Sequence, residues 1–249
     1  MDVSPLITPS VTIAANPAGA ICAGTSVTFT ATPTNGGTVP TYAWYLNNNP
    51  TGITGPTYTN SNFANGDQIY VIMTSNASCL TQSTGTSATT TMTVNPLPTA
   101  TLSASAAICQ GQSHTFNVTY TGTAAYSNVE IWNATTGALA QNIGGANTFT
   151  TSVAGNYYVS TVTDGNTCTN TTDSPTVTLT VNSLPTATLD GPSAICAGGS
   201  HTFNIAFTGA ADYDYTISLP GSGTAGPFNS ATNAATYAAS AAVTTLLLL

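Results

Sequence analysis

The sequence predicts an all-β protein made of tandem β-sandwich domains arranged as a rod. The first observation is a recurring five-residue motif, which reads "AICAG" at 20–24, "AICQG" at 107–111 and "AICAG" at 194–198. Its cysteines, Cys22, Cys109 and Cys196, are each 87 residues apart. An equal spacing over that length indicates an internal repeat. The second observation is an alternation of apolar and polar residues with period two, and the third is the turn-forming residues between such segments.

The alternation is clearest in "HTFNVTY" (114–120), where every second residue is large or apolar and the others are polar. This pattern is typical of a half-buried antiparallel strand. Six further segments predict strands in the same way: 41–47, 68–75, 89–94, 129–133, 156–163 and 176–181. The "DGN" at 164–166 predicts a hairpin turn. Short strands at regular spacing, in copies of fewer than 90 residues, favour a β-sandwich.

The period divides the chain into a lead-in and three repeats. The predicted boundaries are 1–8 for the lead-in, 9–95 for repeat 1, 96–183 for repeat 2 and 184–249 for repeat 3. "NPLP" (95–98) and "NSLP" (182–185) stand between successive repeats. Because proline fixes its φ angle and cannot donate to a β-ladder, these segments predict short, stiff joints.

The charge composition excludes several classes of partner. The chain has no Lys or Arg and a formal net charge of −8. Binding to duplex nucleic acid or to anionic lipid depends on cations, so neither is expected. No apolar run approaches the roughly 20 residues of a membrane-spanning helix, so membrane insertion is not expected either.

The cysteines predict one disulfide within each complete repeat. The interval from Cys22 to Cys79 is nearly equal to the interval from Cys109 to Cys168. The matched spacing favours the pairs Cys22–Cys79 and Cys109–Cys168. Closing a loop of this length stabilises a fold by about 4 kcal/mol in the chain-entropy model. Disulfides persist in oxidising compartments, which predicts an extracellular or cell-surface location.

Cys196 has no equivalent partner, because the matching position falls beyond the last residue of the chain, Leu249. Repeat 3 is therefore predicted to be incomplete at its C-terminal end, with Cys196 unpaired or bonded to another molecule. One interpretation is a fragment of a longer protein. Another is a sandwich with an open groove, filled by a strand from a second copy of the chain. The segment "SVTI" (10–13) is the candidate donor strand.

The two tryptophans are predicted to lie in the sandwich cores. Trp44 and Trp132 follow the leading cysteines by 22 and 23 residues. An immunoglobulin-like sandwich carries its core tryptophan at about this place. The alternative is an exposed platform on which a sugar ring stacks, which would make glycans a partner.

Few residues suggest other chemistry. Asp212 and Asp214 in "ADYDYT", with Asp190 in the joint, could supply oxygen ligands to calcium, although solvation is the simpler interpretation. No other cofactor is expected. The two histidines, His114 and His201, are 87 residues apart and so occupy equivalent strand-start positions rather than forming a catalytic pair. No catalytic constellation is present, and an enzyme is not expected.

The repeat "LPTAT…ICxGxSxTF…W…YxV…C…VTLTVN" resembles the Ig-like and PKD-like tandem repeats of surface adhesins of Bacteroidota, including gliding-motility adhesins and other type IX secretion cargo. The resemblance covers two complete copies and one partial copy. It implies an extracellular, non-catalytic structural or adhesive repeat region of a cell-surface or filament protein. Its partners would be other copies of itself or other surface proteins, with association by strand exchange. The alternative is a set of accessory, carbohydrate-binding modules of a secreted enzyme.

Overall fold

A computed structural model of the chain describes residues 4–190, 199–210, 212–219, 223–239 and 245–248. These residues form strands, bends and turns, and none of them is helical. The predicted all-β class is therefore confirmed. No helix that could cross a membrane occurs in the described part of the chain.

The strands of the first half are β1 (Ser10–Asn16), β2 (Ile21–Cys22), β3 (Val27–Thr34), β4 (Thr41–Leu46), β5 (Asn49–Pro50), β6 (Thr57–Asn60), β7 (Gln68–Thr74), β8 (Thr84–Thr86), β9 (Thr90–Thr91), β10 (Val94–Asn95), β11 (Thr99–Leu102) and β12 (Ala106–Cys109). Those of the second half are β13 (His114–Thr121), β14 (Ser127–Asn133), β15 (Ala138–Asn142), β16 (Thr148–Thr151), β17 (Gly155–Thr163), β18 (Thr169–Asn170), β19 (Val177–Asn182), β20 (Thr186–Leu189), β21 (His201–Thr208), β22 (Tyr213–Leu219), β23 (Gly223–Ser230), β24 (Ala234–Ala239) and β25 (Thr245–Leu248).

The chain forms two compact units. The first comprises Met1–Ser103, Phe116–Phe149 and Asn156–Val177, and the second comprises Ala104–Thr115, Thr150–Gly155 and Thr178–Leu249. The domain boundaries predicted above follow the sequence period and stay a prediction.

In the first unit, residues 10–95 form an immunoglobulin-like sandwich. One sheet has the order β1-β3-β6, and the other has the order β5-β4-β7-β8, with β9 also paired to β7. Alternate side chains of both sheets meet in one core, in which Phe29 lies 6.4 Å from Trp44 between ring centroids. The short strand β2 pairs in parallel with β10, so that Cys22 lies opposite Asn95.

The same unit holds the strands that follow the first joint. β11 pairs with β13, and β14 pairs with both β15 and β17, all antiparallel. Their inner side chains include Phe116, whose ring centroid lies 6.1 Å from that of Phe149 and 6.0 Å from that of Tyr157.

In the second unit, β12 pairs in parallel with β19, with Cys109 opposite Asn182. Two three-stranded sheets follow, with the orders β20-β21-β24 and β23-β22-β25. Ile205, Phe207, Tyr213, Tyr215 and Ile217 form their core.

The candidate donor strand for exchange is already used within its own repeat. Residues 10–13 belong to β1, which pairs antiparallel with β3 from Ser10 opposite Thr34 to Asn16 opposite Thr28. Val11 is 5% exposed and belongs to the core. Donating this strand would break the ladder and uncover that core, so the structure does not present "SVTI" as a free strand.

Candidate functional site

The structure contains a disulfide that the sequence analysis did not predict. Cys22 is bonded to Cys168, with 5.5 Å between their Cα atoms and a sequence separation of 146. By the sequence period, Cys22 is the leading cysteine of repeat 1 and Cys168 is the late cysteine of repeat 2. The bond therefore links two successive repeats, and the predicted pairs Cys22–Cys79 and Cys109–Cys168 are corrected.

The geometry of repeat 1 explains why its own two cysteines do not pair. Cys22 lies opposite Asn95 in the last strand of the repeat, and the backbone of the neighbouring Val94 donates to Asn65 Oδ1, just before β7 begins. Cys79 comes after β7 has ended, and its carbonyl accepts from the N–H of Ile7, in the lead-in just before the repeat. A strand of seven residues spans about 20 Å, whereas a disulfide requires Cα atoms within about 7 Å. The leading and late cysteines of this repeat thus lie at its two ends.

A buried aspartate shapes the turn that carries Cys168. Asp164 is 3% exposed, and its Oδ1 accepts from the N–H groups of Asn166 and Cys168, at 3.0 Å each. Its Oδ2 accepts from the N–H of Thr123 at 3.1 Å. The turn places the Cys168 side chain in a fully buried position. Sequence reasoning interpreted Asp164 as a turn former rather than a metal ligand, and it did not identify the backbone groups that the carboxylate binds.

We expect Asp164→Ala to lower the free energy of unfolding by about 2 to 4 kcal/mol, because three backbone N–H groups lose their acceptor in a buried turn. Guanidinium denaturation of the oxidised protein measures the loss. Asp173→Ala is the control, since Asp173 is exposed nine residues further along the chain, and we expect it to change stability by less than about 0.5 kcal/mol. Equal losses in the two variants would contradict the role of the carboxylate.

The remaining cysteines are not joined to one another. Cys79 and Cys109 are free and exposed. Cys196, predicted to be unpaired or intermolecular, lies outside the described residues.

Thiol labelling of the native protein should separate the cysteines into two classes. We expect N-ethylmaleimide to modify Cys79 and Cys109 and to leave Cys22 and Cys168 unmodified, because a thiolate is needed for the reaction and the latter two are bonded. Mass spectrometry after digestion with pepsin reads the result. Pepsin is required because the chain offers trypsin no Lys or Arg. Recovery of a Cys22–Cys79 peptide would overturn the observed pairing.

The two tryptophans lie in different environments. Trp44 is 1% exposed, packs in the core of repeat 1, and donates from Nε1 to the carbonyl of Gly55 at 3.0 Å. Trp132 is half-buried, and the residues on either side of it, Ile131 and Asn133, are the buried ones. The prediction of a core position for Trp132 is therefore wrong. Trp132 follows its leading cysteine by 23 residues instead of 22, and a shift of one residue moves a strand side chain to the opposite face.

Trp132 belongs to an outward-facing set of side chains that we call the aromatic face: Glu130, Trp132, Leu139 and Tyr158. Trp132 lies opposite Leu139 on β15 and opposite Tyr158 on β17. Its Nε1 donates to Glu130 Oε2 at 3.4 Å. Leu139 is 46% exposed. The sequence did contain a signal for this outward position, because Trp132 is one residue further from its leading cysteine than Trp44 is.

Repeat 1 has an outward aromatic pair at the equivalent place. Tyr45 also follows its leading cysteine by 23 residues, and it lies opposite Tyr70 on β7. The two rings stack with 4.9 Å between centroids and 2° between planes. The outward aromatic pair is thus present in both complete repeats.

The three aspartates predicted as the calcium alternative are not gathered into a site. Both carboxylate oxygens of Asp190 accept from Asn204, Oδ1 from its N–H at 2.9 Å and Oδ2 from its Nδ2 at 2.7 Å. Asp214 Oδ1 accepts from Asn229 Nδ2 at 3.0 Å. In the described part of the chain no three His, Cys, Asp or Glu residues are close enough to hold a metal ion. The structure therefore does not bear out a calcium site built on Asp190, Asp212 and Asp214.

A cleft of about 590 Å³ lies on the sheet β20-β21-β24. Leu189, Ile205 and Ala235 lie side by side across its three strands, and Asp190 and Asn204 stand at its edge. A second cleft of about 250 Å³ lies between β11 and the segment around Ser174. Neither cleft contains a nucleophile with an adjacent base.

Three tyrosines are partly or fully withdrawn from water by the surrounding protein. Burial raises the pKa of Tyr58, Tyr120 and Tyr215 above the usual value for a phenol. Tyr120 accordingly donates to the carbonyl of Ala146. These residues act as packing groups with a hydrogen-bonding tip.

No protein-family model matches the chain, and no curated protein matches it. It is similar to the three N-terminal domains of the highly immunogenic outer capsid protein Hoc of bacteriophage RB49, with 13% identity over 89% of this chain and 78% of that chain and a TM-score of 0.38. It is also similar to fibronectin(III)-like modules of Clostridium thermocellum CbhA, with 17% identity, 69% of this chain and 94% of that chain covered, and a TM-score of 0.33. A third likeness is to extracellular domains 3–5 of Drosophila OTK, with 11% identity, 83% and 77% covered, and a TM-score of 0.27. Because all three TM-scores are below 0.5, no argument is built on these likenesses, and function is argued below from this chain's own residues.

Proposed function

We propose that this chain is a non-catalytic part of an extracellular array of Ig-like repeats, which bears mechanical load in an adhesin or filament on the cell surface. The observation that carries the proposal is the Cys22–Cys168 disulfide, which bonds one repeat to the next. A joint of four residues, "NPLP", is the only other covalent connection between these repeats. The disulfide adds a second covalent connection, so a pulling force cannot separate the two repeats at this place without breaking the S–S bond.

The bond also limits how far the chain can extend under tension. A disulfide across 146 residues removes that segment from the extensible length. At about 3.5 Å per residue, this shields about 500 Å of contour length. A repeat region that holds a ligand at a distance from the cell benefits from such a limit, because its reach stays constant under load.

An extracellular position accounts for the disulfide, since cytosolic reductants would keep Cys22 and Cys168 as thiols. The absence of Lys and Arg fits the same setting, because trypsin-like proteases find no cleavage site in the chain. Almost uncharged strand edges also lack the Lys residues that discourage pairing between molecules, which favours self-association in a filament.

Surface labelling tests the proposal. An antibody against residues 10–95 should label intact, unpermeabilised cells that produce the protein. Treatment of those cells with a protease of broad specificity, such as proteinase K, should remove the label. Electron microscopy of the labelled material should show the antibody on thin extensions or fibres. Labelling that requires permeabilisation would overturn the proposal.

A second candidate function is binding of neutral glycans, and the aromatic face favours it. Sugar rings stack on aromatic rings at protein surfaces, and the half-buried ring of Trp132 lies on the outer side of its sheet beside the carboxylate of Glu130, which can accept from sugar hydroxyls. The net charge of −8 without a single cation selects against acidic glycans. Trp44 does not fit this role, because its ring is buried.

Fluorescence titration tests this second candidate. Neutral hexasaccharides of glucose, xylose, mannose and N-acetylglucosamine should produce a saturable change in tryptophan emission, which Trp132→Ala abolishes and Trp44→Phe retains. A panel without any saturable change, or a change that survives in Trp132→Ala, would exclude the aromatic face as a glycan site.

A further inference from the structure

We infer that Cys79 and Cys109 are the unjoined halves of a disulfide ladder, in which the leading cysteine of each repeat bonds to the late cysteine of the repeat that follows it. The partner of each is a further repeat of this same sequence type. This inference rests on the proposed function, which places the chain in an array of such repeats. It adds the covalent connectivity of that array.

The first step is the equivalence of Cys109 and Cys22. Each leading cysteine lies opposite an asparagine in the last strand of its repeat, in parallel register: Cys22 with Asn95 and Cys109 with Asn182. The residue after each cysteine donates its N–H to that asparagine's carbonyl, at 2.9 Å from Ala23 and 2.8 Å from Gln110. The backbone that presents the Cys22 sulfur is thus reproduced around Cys109.

The turn after each leading cysteine is also the same. The carbonyl of Cys22 accepts from the N–H of Thr25 at 3.0 Å, and that of Cys109 accepts from Gln112 at 3.1 Å. Gly24 and Gly111 have φ angles of 84° and 89°, a left-handed conformation that glycine adopts without strain. Cys22 and Cys109 therefore have the same local backbone. Cys22 is bonded to a partner, whereas Cys109 is an exposed free thiol.

The second step is the equivalence of Cys79 and Cys168. Each follows the end of a long central strand, and each has a buried polar residue four positions earlier, Ser75 or Asp164. Both of these side chains accept from backbone N–H groups of the turn that leads to the cysteine: Ser75 Oγ from Ala77 at 3.1 Å, and Asp164 Oδ1 from Asn166 at 3.0 Å.

Each late cysteine also lies beside the segment that leads into its repeat. The carbonyl of Cys79 accepts from Ile7, and Asn170, two residues after Cys168, donates to the carbonyl of Pro98. A late cysteine therefore faces the preceding repeat, while a leading cysteine adjoins the last strand of its own repeat and faces the next one. Cys22–Cys168 is one such contact, and its sequence separation of 146 is one full repeat period longer than the interval from Cys109 to Cys168.

The bond forms by oxidation of two thiols. The two sulfurs lose two protons and two electrons, which a thiol–disulfide oxidoreductase accepts as its own disulfide is reduced to a dithiol. Exposure of Cys79 and Cys109 gives such an enzyme access to both sulfurs.

Two insertion variants test the two halves of the ladder within the full chain. Each inserted copy carries one conservative, mass-changing substitution in each of its two cysteine peptides, so that bonds within a copy and between copies are distinguished. In the first, a second copy of residues 96–182 is inserted after Asn182, which recreates the natural "NPLP" joint and keeps the 87-residue period. We expect pepsin mapping without reduction to show Cys109 bonded to the late cysteine of the inserted copy. In the second, a second copy of residues 9–95 is inserted after Asn95. We expect the Cys22 of its first copy to bond to the Cys79 of its second.

The Cys22–Cys168 bond within each variant reports whether the chain has folded. The inference is overturned if Cys109 or the second Cys79 stays fully alkylated while that bond is present, or if either cysteine bonds within its own repeat. If pepsin mapping of the unmodified chain did not find the Cys22–Cys168 bond, the only observed bond between repeats would be absent, and the ladder inference would be overturned as well. Surface labelling does not depend on the disulfide mapping. The proposed extracellular location would therefore remain supported even if the ladder inference were overturned.

Discussion

Replacing both Cys22 and Cys168 with serine is expected to lower the free energy of unfolding by up to about 5 kcal/mol. The bond closes a loop of 146 residues, and the chain-entropy model assigns a stabilisation of about this size to a loop of that length. Guanidinium denaturation of the oxidised protein, followed by tryptophan fluorescence and by circular dichroism, measures the difference.

The matched control is the double variant Cys79→Ser and Cys109→Ser, which removes the same number of sulfurs from equivalent positions. Because both thiols are free and exposed, we expect a change of less than about 0.5 kcal/mol. Reduction should lower the unfolding midpoints of the wild-type protein and of the control variant to that of the first double variant, which has no Cys22–Cys168 bond to reduce and should not change. Equal stabilities of the two double variants would contradict a structural role for Cys22–Cys168.

The same pair of variants separates stability from mechanical behaviour. When single molecules are stretched, the variant without Cys22 and Cys168 should gain about 500 Å of contour length over the control variant, because the 146 residues are no longer enclosed. A gain of this size would show that the bond limits extension under force. Unfolding in denaturant reports only the effect of the bond on stability.

The strands could be predicted from the sequence because period-two alternation is a local property. The predicted segment 41–47 contains β4 (Thr41–Leu46), and 68–75 contains β7 (Gln68–Thr74). The equal spacing of 87 residues likewise identified the repeats without reference to any contact. Both inferences need only the chain's own order and the geometry of a strand.

The disulfide pairing could not be predicted in this way. The nearly equal intervals within repeats 1 and 2 are compatible with a bond inside each repeat and equally with a bond between repeats, because a strict period repeats both alternatives. The choice depends on which end of the sandwich each cysteine occupies. That follows from the parallel pairing of Cys22 with Asn95 and from the contact of Cys79 with Ile7, which are long-range contacts.

The aromatic face shows how little separates a core residue from a surface one. Val129 and Ile131 point inward and Glu130 and Trp132 outward, because successive side chains of a strand alternate between its faces. An alignment of the two tryptophans by residue type hides this difference. An alignment by distance from the leading cysteine pairs Trp44 with Ile131 and Tyr45 with Trp132, and both pairs then agree in burial.

Truncation of the two tryptophans should therefore give opposite results. We expect Trp44→Ala to lower the free energy of unfolding by about 3 to 5 kcal/mol, because it leaves a cavity in a closed core and removes ring contacts with Phe29 and Tyr58. Trp132→Ala removes a half-buried ring from an outer face, and we expect it to cost less than about 1 kcal/mol. Chemical denaturation of the two variants under identical oxidising conditions makes the comparison.

Ile131→Ala supplies the internal control for repeat 2, because Ile131 is fully buried and adjacent in sequence to Trp132. We expect its cost to be about 2 to 5 kcal/mol, the range for truncating a buried Ile. Spectra offer a second reading: the emission that remains in Trp132→Ala comes from buried Trp44 and should lie at shorter wavelength than the emission that remains in Trp44→Ala. If Trp132→Ala proved as costly as Ile131→Ala, the ring would have to lie inside a core, and its assignment to the aromatic face would fail.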